Sequence, residues 1–151
     1  MAVTRRAEVS WHGNLVAGKG TLSAISSGAF KNLPVTWASR TENADGRTSP
    51  EELLASAHAS CFSMAFSSDL TKAGFPPESL DVSCEVGLDR VDGKLTVISS
   101  TLTVRGQVPG IDAAKFAELA AGAKEGCPIS RSLKGNVQLN IDAQLESEVT
   151  A

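Results

Sequence analysis

The sequence predicts an α+β fold of antiparallel sheets and two main helices, in the order βββ–α–ββ–α–β. Three features lead there. Several short runs alternate apolar and polar residues at the period of a strand, turn dipeptides join these runs into hairpins, and one long helical run opens on a clear capping signal. No repeat, low-complexity tract or linker divides the chain, so residues 1–151 are expected to form one domain.

Ala7, Val9 and Trp11 alternate with Glu8 and Ser10, the pattern of a half-buried strand, and Gly13-Asn14 turns the chain into a second strand near Leu15–Ser23. A third strand is expected within Phe30–Trp37, with Pro34 placing it toward an edge, and the polar run Ser39–Ser49 reads as a loop. Ser49-Pro50-Glu51-Glu52 then starts a helix: Ser49 caps, Pro50 fits the first turn and Glu52 completes the S-x-x-E box. The helix is expected to run to about Lys72, ended by Gly74 and Pro76-Pro77. Its small and apolar residues lie almost all round it, which points to burial on several sides and, in so short a chain, to a partner subunit. Val82, Cys84, Val86 and Leu88 form an alternating strand that turns at Asp92-Gly93 and returns through Leu95–Val104, with a phase slip near Val97-Ile98 that marks a bulge. A second helix over about Asp112–Lys124 carries Phe116, Leu119, Ala120 and Ala123 at helical spacing and stops at Gly126. The last strand alternates Val137, Leu139, Ile141, Ala143 and Leu145 with polar residues.

Composition narrows the function. The 151 residues are 42% hydrophobic and 21% charged, enough for a real core and unlike a disordered chain, and three cysteines are too few for a disulfide scaffold. The net charge is −3, Arg5-Arg6 is the only basic pair, and five Phe and two Trp without Tyr offer little for base stacking; nucleic-acid binding is not expected. The apolar stretch from Leu53 to Phe66 is interrupted by Ser56, His58, Ser60 and Ser63 and falls short of the ~20 apolar residues of a membrane span. The opening MAVTRRAEVSW turns polar where a secretory signal would turn apolar, so a cytoplasmic location with reduced cysteines is the expectation.

The residues that carry chemistry are few. Cys61, in mid-helix, reads either as a small buried hydrophobe or as a nucleophile. Cys84 alternates inward with Val82 and Val86 and reads as core. Cys127 follows Gly126 and precedes Pro128, whose ring favours the first turn of a further helix over Pro128–Leu133; the sulfur would then lie at a helix start that favours thiolate, although Gly-Cys-Pro also serves as a plain turn. Zinc is not expected, because there is no CxxC and His58 with Cys61 supplies only two ligands. A Cys–His hydrolase or transferase would use the same two residues, but one rigid helix gives His58 little freedom to activate sulfur and then protonate a leaving group, and a packed, hydrogen-bonded histidine is the simpler reading. Gly18-Lys19-Gly20 matches no phosphate loop. Redox chemistry by two cysteines is what remains, with a small-ligand or redox-sensing dimer as the non-enzymatic alternative.

Ser49-Pro50-Glu51-Glu52-Leu53-Leu54, then Ala57-His58-Ala59-Ser60-Cys61-Phe62, then Gly126-Cys127-Pro128-Ile129-Ser130 closely resemble the OsmC/Ohr family of osmotically inducible and organic-hydroperoxide-resistance proteins. Trp37-Ala38-Ser39-Arg40-Thr41-Glu42 is more similar to the OsmC branch. The resemblance implies an OsmC-like fold, an intertwined homodimer with two active sites at its interface, and a thiol peroxidase that reduces organic hydroperoxides better than hydrogen peroxide. It implies no flavin, haem, metal or other cofactor, and recycling by an external dithiol of lipoyl type. By motif, Cys61 corresponds to the peroxidatic cysteine, Cys127 to the resolving cysteine that closes an intrasubunit disulfide with it, and Glu51 to the family's glutamate. Arg40 corresponds to its arginine, with Arg131 as the competitor, and Cys84 has no place in that mechanism. A carboxylate such as Glu51 would hold the arginine by a bidentate pair. Ten residues of straight helix separate Glu51 from Cys61 by ~15 Å, so the site is expected to combine two subunits unless Glu51 lies off the helix axis.

Overall fold

A computed structural model describes residues 1–147, and their contacts group into two compact units, residues 1–53 and 54–147. The first unit holds a three-stranded antiparallel sheet ordered β1 (Ala7–His12), β2 (Lys19–Ile25), β3 (Leu33–Val35). The turn after β1 is tied by the Asn14 side chain, which accepts from the Ala17 N–H, so β2 starts later than the sequence pattern suggests. β3 is short because the chain turns helical at once. Thr36 caps α1 (Trp37–Thr41), with the Thr36 hydroxyl accepting from the Ser39 N–H and the Ser39 hydroxyl accepting from the Thr36 N–H. This reciprocal box uses Ser where Glu or Gln is usual, which is why residues from Ser39 read as loop in the sequence. The Ser39 hydroxyl also donates to the Thr48 carbonyl, tying α1 to the segment that leads into α2 (Pro50–Lys72). The Ser49 hydroxyl accepts from the Glu52 N–H as expected of the cap.

The second unit contains the rest of α2, a sheet ordered β4 (Ser79–Val91), β5 (Lys94–Gln107), β6 (Gln138–Leu145), and the helices α3 (Ala113–Gly126) and α4 (Pro128–Leu133). β4 and β5 form one long antiparallel hairpin closed by Asp92 and Gly93, both at positive φ as a two-residue hairpin turn requires. The register slips between Gly87 and Leu88 because Ile98 is extra on β5, placing the bulge where the alternation lost its phase. β6 departs from an all-antiparallel expectation: it pairs parallel to β5, reached by a crossover through α3 and α4. Alternation has the same period in both pairings, so the pattern alone does not separate them.

The core lies in this second unit. His58, Phe62, Phe66 and Leu70 recur every fourth residue along α2 and are fully buried; the three apolar members pack with Leu102 and Val104 of β5 and Phe116, Ala120 and Ala123 of α3. Phe66 stacks between Phe62 and Phe116, with ring centroids 5.4 and 5.0 Å away. These rings are fully buried and form the core. Gly106 is required by the same packing, since a Cβ there would stand 2.6 Å from the Phe116 ring. Away from the stripe, Met64 is 70% exposed, so within this chain α2 is fully buried along one line only. No helix among the described residues is long and apolar enough to cross a membrane.

Candidate active site

In the first unit, Arg40 and Glu51 form an ion pair. Arg40 Nε donates to both Glu51 oxygens, at 3.0 Å to Oε1 and 3.3 Å to Oε2, and Nη2 donates to Oε1 at 2.8 Å. The Glu51 side chain is 10% exposed and that of Arg40 31%. The carboxylate is therefore largely enclosed while part of the guanidinium remains open, and the fork geometry holds the arginine in a fixed direction. The sequence paired these two residues, and α1 delivers Arg40 to Glu51 in the first turn of α2. Arg131, the competing arginine, lies exposed on α4.

In the second unit, Cys61 on α2 is partly exposed and Cys127 is fully buried, and both are free thiols. Cys127 is the junction of two helices: its N–H donates to the Ala123 carbonyl to close α3, and it is the residue before Pro128 at the start of α4. That abrupt junction turns its side chain toward Cys61. The Cys61 thiol is pushed up from its ordinary range, first by burial and next by a side-chain hydrogen bond with Cys127, while a hydrogen bond from the Ile129 backbone opposes the rise. None of these partners is a cation. The backbone N–H offsets only part of the rise, so the Cys61 thiol stays above its ordinary range.

His58, one turn before Cys61, is fully buried and has both ring nitrogens occupied: Nδ1 lies 2.6 Å from the Ser100 hydroxyl and Nε2 2.7 Å from the Ser130 hydroxyl. Burial pushes its pKa below the ordinary value, so the ring is neutral. Cys84 adjoins this network, 3.2 Å from the Ser100 hydroxyl and 3.8 Å from His58 Nδ1, and burial raises its thiol pKa. It is partly buried against the core, as its strand position indicated, but also takes part in a polar network that alternation did not reveal. Ser100 and Ser130 were missed by sequence reasoning. A signal for Ser100 existed: it shares the inward face of β5 with Leu102 and Val104. Among the described residues, no group of three or more His, Cys, Asp or Glu is placed to hold a metal ion.

A partly exposed Cys61 beside a fully buried Cys127 is the arrangement that comparison with known proteins bears on. The family described as OsmC-like protein matches residues 43–142, a span that includes parts of both units. Peroxiredoxin OsmC of Escherichia coli strain K12 is 42% identical over 147 residues, covering 97% of this chain and all of that protein. An organic hydroperoxide resistance protein-like chain of Staphylococcus aureus strain USA300 is 32% identical over 107 residues, covering 68% of this chain and 74% of that one. The crystal structure of the organic hydroperoxide resistance protein OhrB of Bacillus subtilis shares the fold, with TM-score 0.71 and 24% identity over 92% of this chain and 98% of that one. The chain belongs to the OsmC-like family, and the names of these relatives support a peroxidase-type function for it.

Proposed function

We propose that the protein is a thiol peroxidase that reduces organic hydroperoxides, and hydrogen peroxide less well, using Cys61 as nucleophile and Cys127 as resolving residue. The observation that carries this reading is the pairing of a partly exposed Cys61 with a buried Cys127 in hydrogen-bond reach. The Cys61 thiolate attacks the terminal oxygen of R–O–O–H; the O–O bond breaks, sulfur takes the OH as a sulfenic acid, and the alkoxide leaves and is protonated to the alcohol. The Cys127 thiol then displaces water from the sulfenic acid to give the disulfide, and an external dithiol, of small or lipoyl type, returns two electrons and two protons.

Nucleophilic attack needs thiolate, and Cys61 lies above its ordinary range, so a cation must act on it during the reaction. Arg40, oriented by Glu51, is the residue we assign to that role: it would favour the thiolate and receive the charge developing on the departing oxygen. Glu51 stands in the first turn of α2 and Cys61 ten residues further along the helix, which favours a homodimer in which the Arg40–Glu51 pair of one protomer serves the Cys61 of its partner. No cofactor is needed for this cycle. Against a Cys–His hydrolase stands His58 itself, neutral and bonded on both sides to serine hydroxyls.

The test is consumption of cumene hydroperoxide with dihydrolipoamide or dithiothreitol, comparing the protein with Cys61→Ser and Cys127→Ser. The expected result is turnover abolished by Cys61→Ser, and a single equivalent of oxidation retained by Cys127→Ser without a disulfide. A Cys127→Ser variant that turns over normally would overturn the cycle. A wild-type disulfide formed once but never recycled by either dithiol would replace it with a sensing role.

A further inference from the structure

His58 has no role in the cycle above, yet it is fully buried, as Cys127 is, and occupies a particular place. It precedes Cys61 by three residues on α2, and its partner Ser130 follows Cys127 by three residues on α4. Three residues is one helical turn, so His58 and Cys61 share a face, as do Ser130 and Cys127. The contacts therefore form two rungs between α2 and α4, crossed in sequence order as antiparallel segments require: His58 with Ser130, and Cys61 with Cys127. Between Cys127 and Ser130, Ile129 supplies the backbone hydrogen bond to Cys61.

We propose that His58 is a positioning residue: from its place on α2 it holds Ser130 of α4, and this rung sets the register of α4 that brings Cys127 and the Ile129 N–H against Cys61. This inference rests on the assignment of Cys61 and Cys127 as the reacting pair. The hydrogen-bond inventory gives the network one direction. Among the described residues the Ser130 hydroxyl has His58 Nε2 as its only hydrogen-bond partner, so satisfying it requires Ser130 to donate into Nε2. The ring proton is then on Nδ1 and goes to Ser100, whose own hydroxyl donates to Cys84 Sγ. This tautomer is inferred from the network, as protons on imidazole are. Every polar group in the chain from α4 to β4 is then satisfied, and the buried ring is held at both ends. The α4 helix has only six residues and needs such an anchor, because short helices derive their stability from tertiary contacts.

The test separates the two sides of the imidazole. Ser130→Ala cuts the rung to α4; Ser100→Ala cuts the tie to β5 and leaves the rung. His58→Gln places an amide near Nε2 and can keep Ser130, whereas His58→Asn places one near Nδ1 and can keep only Ser100. Cys61 chemistry is read as the pH profile of its alkylation by iodoacetamide, located by peptide mass spectrometry, and as the rate at which diamide closes the Cys61–Cys127 disulfide. The ionisable groups around the rungs are Cys61, Cys127, Cys84 and, acting on Cys84, Glu85.

Ser130→Ala and His58→Asn should move the Cys61 profile to lower pH, because the lost Cys127 contact raises the thiol more than the lost Ile129 N–H lowers it, and slow disulfide closure roughly five- to tenfold, the scale of one lost buried hydrogen bond. Ser100→Ala and His58→Gln should leave both readouts near wild type even where the melting temperature falls. Profiles and closure rates unchanged in Ser130→Ala and His58→Asn, or shifted equally in all four variants, would overturn the proposal and make the network a matter of stability alone. Neither readout uses a peroxide, so a protein inert to hydroperoxides would refute the peroxidase reading without touching this one.

Discussion

Glu51 and His58 lie about two turns apart on α2 and handle polarity in opposite ways. Glu51 is answered by a guanidinium that stays about a third exposed. His58 is wholly enclosed, gives up its charge, and is answered by two neutral hydroxyls. An ion pair at the edge of a protein contributes little to stability but leaves a cation directed and partly open, which suits a group that must meet a substrate. A neutral buried network has no charge to offer a substrate but is costly to disrupt, which suits a group that fixes geometry. The difference fits the proposal that the first cluster serves chemistry and the second architecture.

The largest effect that could break this contrast is on rate. Arg40→Ala should lower kcat/KM for cumene hydroperoxide by about 100-fold or more, the scale of removing one donor to a developing negative charge. Thermal melting should change little, because partly exposed ion pairs contribute about 1 kcal/mol or less. A variant that loses its fold along with its activity would move the pair into the structural category. Next in size is His58→Ala, which leaves a cavity and two hydroxyls without their partner. It should destabilise the protein by about 2–4 kcal/mol in urea unfolding, against about 1 kcal/mol for Glu51→Gln. Equal losses for the two variants would erase the distinction.

The smallest effect is in pH. Burial places the folded pKa of His58 below its ordinary 6.5, so the unfolded chain binds a proton first as the solution is acidified. The stability tied to this residue is then fully present above about pH 6.5 and is lost as pH falls through the lower folded value, with a slope of at most about 1.4 kcal/mol per pH unit. The difference in unfolding free energy between wild type and His58→Gln should acquire that slope below pH 6.5 and be flat above it. A flat difference throughout would mean that the folded ring takes up its proton as readily as in the unfolded chain, with no penalty from burial.

Much of this was legible in the sequence, and the reasons are local. The Ser49 cap, the Asp92-Gly93 turn, the slip at Ile98 and the Cys127-Pro128 helix start each depend on neighbours a few residues away. The Arg40–Glu51 pair was also legible, though only because motif likeness supplied what spacing does not. α1 was hidden because its box uses Ser39 in place of an acid. The partners of His58 were hidden for a deeper reason: Ser100 is 42 residues away on β5 and Ser130 is 72 away on α4, so the ring meets them only through the β4–β5 hairpin and the crossover that follows it.

The two rungs between α2 and α4 also constrain chain length. A residue inserted between His58 and Cys61, or between Cys127 and Ser130, would turn the following side chain by about 100° around its helix, so one rung could form only at the expense of the other. The loop through Asp45 and Gly46, exposed and already at positive φ, has no such constraint. Length variation among working versions of this fold should therefore collect in the segment between Arg40 and Glu51, while the two three-residue intervals stay fixed.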